Sequence, residues 1–137
     1  MDVILFPKIL EGSNRNLEEV FTMKEVKEVV WECDGNKCPG PDGYNFSFLH
    51  RCWNTLAGDI YAFVSEFHSK ENLHKVVTSS FIALIPKVEN PQVLGDCRPI
   101  SLVESLSKII AKLLANRLKK VVGELISSSQ MTFMSSR

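Results

Sequence analysis

Ser79 to Leu102 reads SSFIALIPKVENPQVLGDCRPISL, and its two apolar runs decide the architecture. Phe81-Ile82-Ala83-Leu84-Ile85 and Ile100-Ser101-Leu102-Val103 are each edged by a proline and a basic residue, with Glu89-Asn90-Pro91 and Gly95-Asp96 between them. Short apolar runs rich in β-branched and aromatic residues, bounded by turn formers, predict strands over 81–85 and 100–103, paired antiparallel through a long connection. Pro86 and Pro99 would interrupt a helix laid through them. Lacking a donor N–H, they belong at strand ends or on an edge. In such a pair Lys87 and Arg98 emerge at the same end of the ladder, where two cations would face an anion. The plainer alternative is a pair of solvated strand-end charges.

Downstream, Ser105 to Ile126 carries Leu106, Ile109, Ile110, Leu113, Leu114, Leu118, Val121 and Val122 at the spacing of an amphipathic helix. Lys108, Lys112 and Lys119 align on its opposite side. Arg117 falls inside the apolar arc, where an unpaired guanidinium would cost several kcal/mol on the order-of-magnitude scale for buried charges. It therefore needs either an ion-pair partner or a nucleic-acid ligand.

Upstream, Thr22-Met23-Lys24-Glu25 is a capping-box pattern that opens a helix ending near Asp34-Gly35, with Val26, Val29, Val30 and Cys33 inward. Lys37 to Asn45 is turn-rich. Phe46 to about Ser69 is helical again, with a break predicted at Ala57-Gly58-Asp59, and its aromatic stripe is core. Residues 70–78 form a polar connector, and Ser127 to Arg137 a polar tail. Residues 1–20 lack a steady period and read as a lead-in or linker, weakly structured unless something downstream packs on them. The fold class is α+β: several helices around a two-stranded antiparallel hairpin.

A chain of 137 residues, 45% of them hydrophobic, suits one domain or a piece of one. The formal net charge of zero hides an uneven distribution. Residues 1–35 hold four Lys/Arg against eight Asp/Glu, and residues 98–120 hold six against one, so only the second region attracts phosphates. No apolar run approaches the ~18 residues of a membrane span, and Met1-Asp2-Val3-Ile4-Leu5-Phe6-Pro7 is too short and lacks the basic start of a secretory signal. The expected compartment is intracellular, with four reduced cysteines. Cys33, Cys38, His50 and Cys52 have some look of a zinc pattern, yet His50 and Cys52 lie too close on a helix for both to ligate comfortably. No metal ligand is assigned.

Four segments in order carry a resemblance: Lys37-Cys38-Pro39-Gly40-Pro41-Asp42-Gly43, Phe81-Ile82-Ala83-Leu84-Ile85-Pro86-Lys87, Asp96-Cys97-Arg98-Pro99-Ile100-Ser101-Leu102, and Lys108-Ile109-Ile110-Ala111-Lys112-Leu113-Leu114-Ala115-Asn116-Arg117-Leu118. The stretch 21–137 resembles the amino-terminal part of the reverse transcriptase domain of LINE-type, non-LTR retrotransposons, especially those left as relics in plant genomes. The resemblance implies the fingers and the start of the palm of an incomplete domain, 21–137, preceded by the 1–20 lead-in. It places Lys87 and Arg98 in the hairpin that meets the incoming nucleotide and the template, adds Lys37 and Arg117 as template or nucleotide contacts, and implies an RNA or DNA template-primer, dNTP and Mg2+ in the parent enzyme. Gln130-Met131-Thr132-Phe133-Met134-Ser135-Ser136-Arg137 is similar to the element that precedes the first palm aspartate, with Ser136 where glycine is usual. Cys97 stands where an aromatic is common.

Polymerase chemistry uses paired carboxylates holding two divalent ions. The sequence contains no Asp-Asp, and its only adjacent acids are Glu18-Glu19. The catalytic aspartates and the rest of the palm lie beyond the matched segment, so the chain alone is expected to be inactive and without a cofactor. An alternative is a non-catalytic nucleic-acid-binding module that uses helix 105–122 through Lys108, Lys112, Lys119 and Lys120; those lysines are otherwise a solvated helix face. A helical interaction protein unrelated to polymerases would leave the motif order unexplained.

Overall fold

A computed structural model describes residues 11–73, 75 and 77–125. In chain order they form α1 (Glu11–Glu18), α2 (Met23–Glu32), α3 (Phe46–Arg51), α4 (Trp53–Lys70), β1 (Ser80–Pro86), β2 (Cys97–Val103) and α5 (Ser105–Leu125). The fold is α+β, as the alternation of period-3.6 and short apolar segments implies. Expectations for the amino-terminal residues 1–10 and for the Gln130–Arg137 element lie outside the described residues. Among the described residues no helix is long and apolar enough to cross a membrane.

Helix α2 begins as its sequence dictates. Thr22 Oγ1 accepts from Glu25 N at 3.2 Å and Glu25 Oε2 accepts from Thr22 N at 2.8 Å, which satisfies two otherwise orphaned backbone donors. Asn45 does the same for α3, its Oδ1 accepting from Phe48 N at 3.0 Å. The helical stretch after Phe46 breaks at Cys52 (φ −97, ψ 12) and runs unbroken through Ala57-Gly58-Asp59. Gly58 has open space around it, and one helical glycine costs only about 1 kcal/mol. Burial of Trp53, Ile60 and Val64 along the same helix outweighs that cost.

The core joins Val26, Val29 and Val30 of α2, Phe46 and Leu49 of α3, Trp53, Ile60 and Val64 of α4, and Ile109, Ile110 and Leu113 of α5, closed at one end by Phe21. Leu114 and Leu118, part of the apolar arc read from sequence, are exposed, because α1 and α2 cover only part of that arc. Residues 11–18, read as lead-in, form a helix, and what packs on it is α5.

The two strands pair antiparallel, with Phe81 opposite Leu102, Ala83 opposite Ile100 and Ile85 opposite Arg98. Phe81, Ile82, Leu84, Ile85 and Ile100 are all exposed, so the ribbon projects from the core with apolar side chains on both faces. An isolated two-stranded hairpin is marginal in water, so this one depends on its base. There Val77 is buried and its carbonyl accepts from Ser107 Oγ of α5.

Candidate nucleic-acid interface

The ladder continues one residue past β1: Lys87 N donates to Asp96 O at 2.7 Å. Side chains alternate along strands, so Lys87 and Arg98 share a face as diagonal neighbours, a relation that sets their positions roughly 7–8 Å apart. Lys87 Nζ donates to Gly95 O at 3.0 Å, within an exposed turn. Arg98 is exposed and has no hydrogen bond or ion pair among the described residues. The connection is shaped by Asp96, whose Oδ2 accepts from Gln92 N (2.9 Å) and Val93 N (3.2 Å). The hairpin end thus offers one cation without a partner and a second held only by a solvent-facing carbonyl, an arrangement suited to an anion such as a phosphate.

Lys37 is exposed on a separate loop, and that loop is pinned to the start of α5. A Cβ on Gly40 would lie 2.6 Å from Val103 C, Val103 O and Glu104 N, so only glycine allows this approach of backbone to backbone. Two residues on, Asp42 Oδ2 accepts from Ser105 N at 3.1 Å, capping α5 from 63 residues away in sequence, while Ser105 Oγ donates to Tyr44 O at 2.7 Å. Lys108 Nζ reaches Cys38 O at 3.5 Å. The segment is a structural clasp as well as a turn.

Of the four lysines proposed as a basic stripe, Lys108 is tied to this loop and Lys112 pairs with Glu32 of α2 at 3.5 Å. Lys119 and Lys120 are exposed, and both line a groove that also holds Glu25, Glu28 and Glu32. Carboxylates therefore face much of the positive charge on α5.

Arg117 takes the ion-pair route. Its five N–H donors meet five acceptors. Nε and Nη2 grip Glu25 Oε1 and Oε2 at 3.1 Å each, Nη1 donates to Leu17 O (3.3 Å) and Glu19 O, and Nη2 donates to Val20 O at 3.2 Å. The guanidinium also lies 4.0 Å from the Phe21 ring centroid, a cation–π contact. No donor is left for a phosphate in this arrangement. Burial pushes the Glu25 carboxyl up, but hydrogen bonds from Arg117 and Thr22 outweigh it and hold the group below its ordinary value.

Among the described residues no group of three or more His, Cys, Asp and Glu could hold a metal ion. His50 Nε2 lies 2.8 Å from Val30 O, and the Cys33 thiol is pushed up by burial against the opposing charge of Lys112.

Over 124 residues the chain is 31% identical to the Transposon TX1 uncharacterized 149 kDa protein of Xenopus laevis. The similarity is to a transposon protein. It covers 90% of this chain and 10% of that relative, so the chain spans about a tenth of the relative's length. No family model matches the chain.

Sequence reading did not find Glu104, which is buried with its carboxyl pushed up by burial and by the nearby charge of Asp42. The available signal was its position: it is the only acid among six cations in residues 98–120 and directly precedes a helix.

Proposed function

We propose that the chain is the amino-terminal, fingers-side segment of the reverse transcriptase domain of a LINE-type non-LTR retrotransposon, of the kind found as relics in plant genomes. The parent activity is template-directed nucleotidyl transfer from dNTP onto a primer hydroxyl. The observation that carries this reading is the register of the hairpin, which puts Lys87 and Arg98 on one face at one end of the ladder. Similarity to a transposon protein over nine-tenths of the chain supports it.

In this reading Arg98 binds phosphate oxygens with its planar fork and Lys87 follows as a mobile point charge. Lys37 lies along the template backbone. The described residues supply no carboxylate cage for Mg2+, so they do not fit that ion and take no part in the metal-dependent step. These 137 residues alone are then inactive, and an extension assay with primer, RNA template, Mg2+ and dNTPs that showed incorporation would overturn the reading. In an intact enzyme carrying this segment, Arg98→Ala raises the apparent KM for dNTPs; unchanged kinetics would remove the hairpin from the nucleotide site. A non-catalytic binding module on α5 has weaker support, because Lys108 and Lys112 already have partners.

A further inference from the structure

Where α3, α4 and the start of α5 meet, the structure leaves a cleft of ≈ 360 Å³, at the small end of the roughly 300–1,000 Å³ spanned by small-molecule sites. Its floor is apolar, built on Leu49, Ile60 and Leu106. At its rim Tyr44 and Phe48 stack at 4.7 Å and 23°, and both rings are exposed. Asp42, Asp59 and Glu104 also line it, and no Lys, Arg or His does.

Glu104 is the unexpected group. The residue is 6% exposed, yet its carboxyl has no hydrogen-bond or ion-pair partner among the described residues. Among the described residues no fully buried side-chain oxygen or nitrogen lacks a hydrogen bond, so the Glu104 carboxylate keeps contact with solvent and is open to a donor from a ligand in the cleft it lines. Asp42, by contrast, is engaged by Ser105 N and Tyr44 N.

We propose that this cleft binds the side chain of an arginine presented by a partner polypeptide, its stem on the apolar floor, its guanidinium against the Tyr44–Phe48 stack and its N–H donors on Glu104. The ligand class follows from charge and shape. Three carboxylates repel a phosphate-bearing ligand, and they do not form a group able to hold a metal ion. Arginine supplies in one side chain what the cleft presents: apolar length, a flat cation that stacks on an aromatic face, and a donor fork for a carboxylate. This inference does not rest on the reverse transcriptase reading; it stands on the cleft alone.

The test is a two-dimensional amide NMR titration of the full chain with N-acetyl-arginine N-methylamide, and with the citrulline analogue of the same shape and no charge. Saturable shifts centred on Tyr44, Phe48 and Leu106, with at least tenfold weaker binding of citrulline, are expected. Glu104→Gln should cut arginine affinity at least tenfold while preserving the dispersed spectrum of the folded protein, and Phe48→Leu should weaken it with Glu104 intact. Equal affinity for citrulline, no saturable shift at the cleft, undiminished binding by Glu104→Gln, or tighter binding of a nucleoside than of arginine would each overturn the proposal.

Discussion

Replacing Arg117 with methionine, which keeps the apolar stem and removes the charged fork, should lower stability by about 3 kcal/mol. Breaking a buried ion pair by deleting one partner costs roughly 3–5 kcal/mol. The Arg117 side chain is 8% exposed but Glu25 is 28% exposed, so water can reach the stranded carboxylate and the lower end of that range applies. The carbonyls of Glu19 and Val20 belong to exposed residues and recover water, adding little. Against a total stability of about 5–15 kcal/mol this is a large fraction. For a domain of this size it corresponds to a fall in Tm of about 10 °C, read by thermal unfolding followed by circular dichroism. Arg117→Lys should recover less than half of it, since one ammonium cannot reach acceptors spread over α2 and the 17–20 backbone. A double-mutant cycle with Glu25→Gln should give a coupling of about 1–3 kcal/mol. Were Arg117→Met to melt within about 2 °C of the parent with no coupling to Glu25, the clamp would not support the fold and the ion-pair assignment would fail.

The same clamp sets a pH dependence. The Glu25 carboxyl is held below its ordinary value in the fold, so its contribution is present above that value, near 4.5, and is lost as pH falls through the folded value; Arg117→Met should flatten the acid limb of a stability-against-pH curve. Glu104 has the opposite sign: its raised folded value means that ionisation opposes folding as pH rises past 4.5, so Glu104→Gln should raise Tm at pH 7, with the gain vanishing in acid. Gly40→Ala should destabilise by about 1–3 kcal/mol, because its Cβ meets backbone that cannot yield, whereas Gly58→Ala in α4 should stabilise by about 0.5–1 kcal/mol; urea titration of both distinguishes the two. Lys87→Ala and Arg98→Ala, both on the exposed end of the ladder, should shift stability by less than about 0.5 kcal/mol, and a larger loss in the same titration would assign them to the fold.

What was legible in the sequence is what local chemistry decides. The Thr22-x-x-Glu25 pattern gave α2 its start because both halves of the capping box lie within one turn. The antiparallel pairing followed from two apolar runs with turn formers between them, though the strands extend beyond those runs to Ser80–Pro86 and Cys97–Val103. Helix α1 was not legible, because the carbonyl of Leu17 near its end is held by a guanidinium 100 residues away and Leu17 is the only large apolar side chain in Glu11–Glu18. The break at Cys52 was misplaced to Gly58 for a related reason: propensity marks the glycine, but tertiary packing carries α4 through it. The Asp42 cap was invisible too, since a capping side chain is ordinarily sought beside its helix and this one arrives across 63 residues.

These long-range ties share one target. Arg117 fastens the middle of α5 to α1 and α2, while Asp42 and Gly40 fasten its first turn to the loop before α3. Strand β2 runs into that same first turn, so the ribbon is aimed by how α5 is held. The hairpin's own side chains are exposed and contribute little to the core. Stability and the candidate ligand contacts are thereby carried by different residues: the clasps can be weakened only by loosening the whole fold, whereas Lys87 and Arg98 can change with little consequence for folding. A cationic hairpin end oriented by a separately braced helix is an arrangement in which ligand contact can be altered without unfolding the protein that presents it.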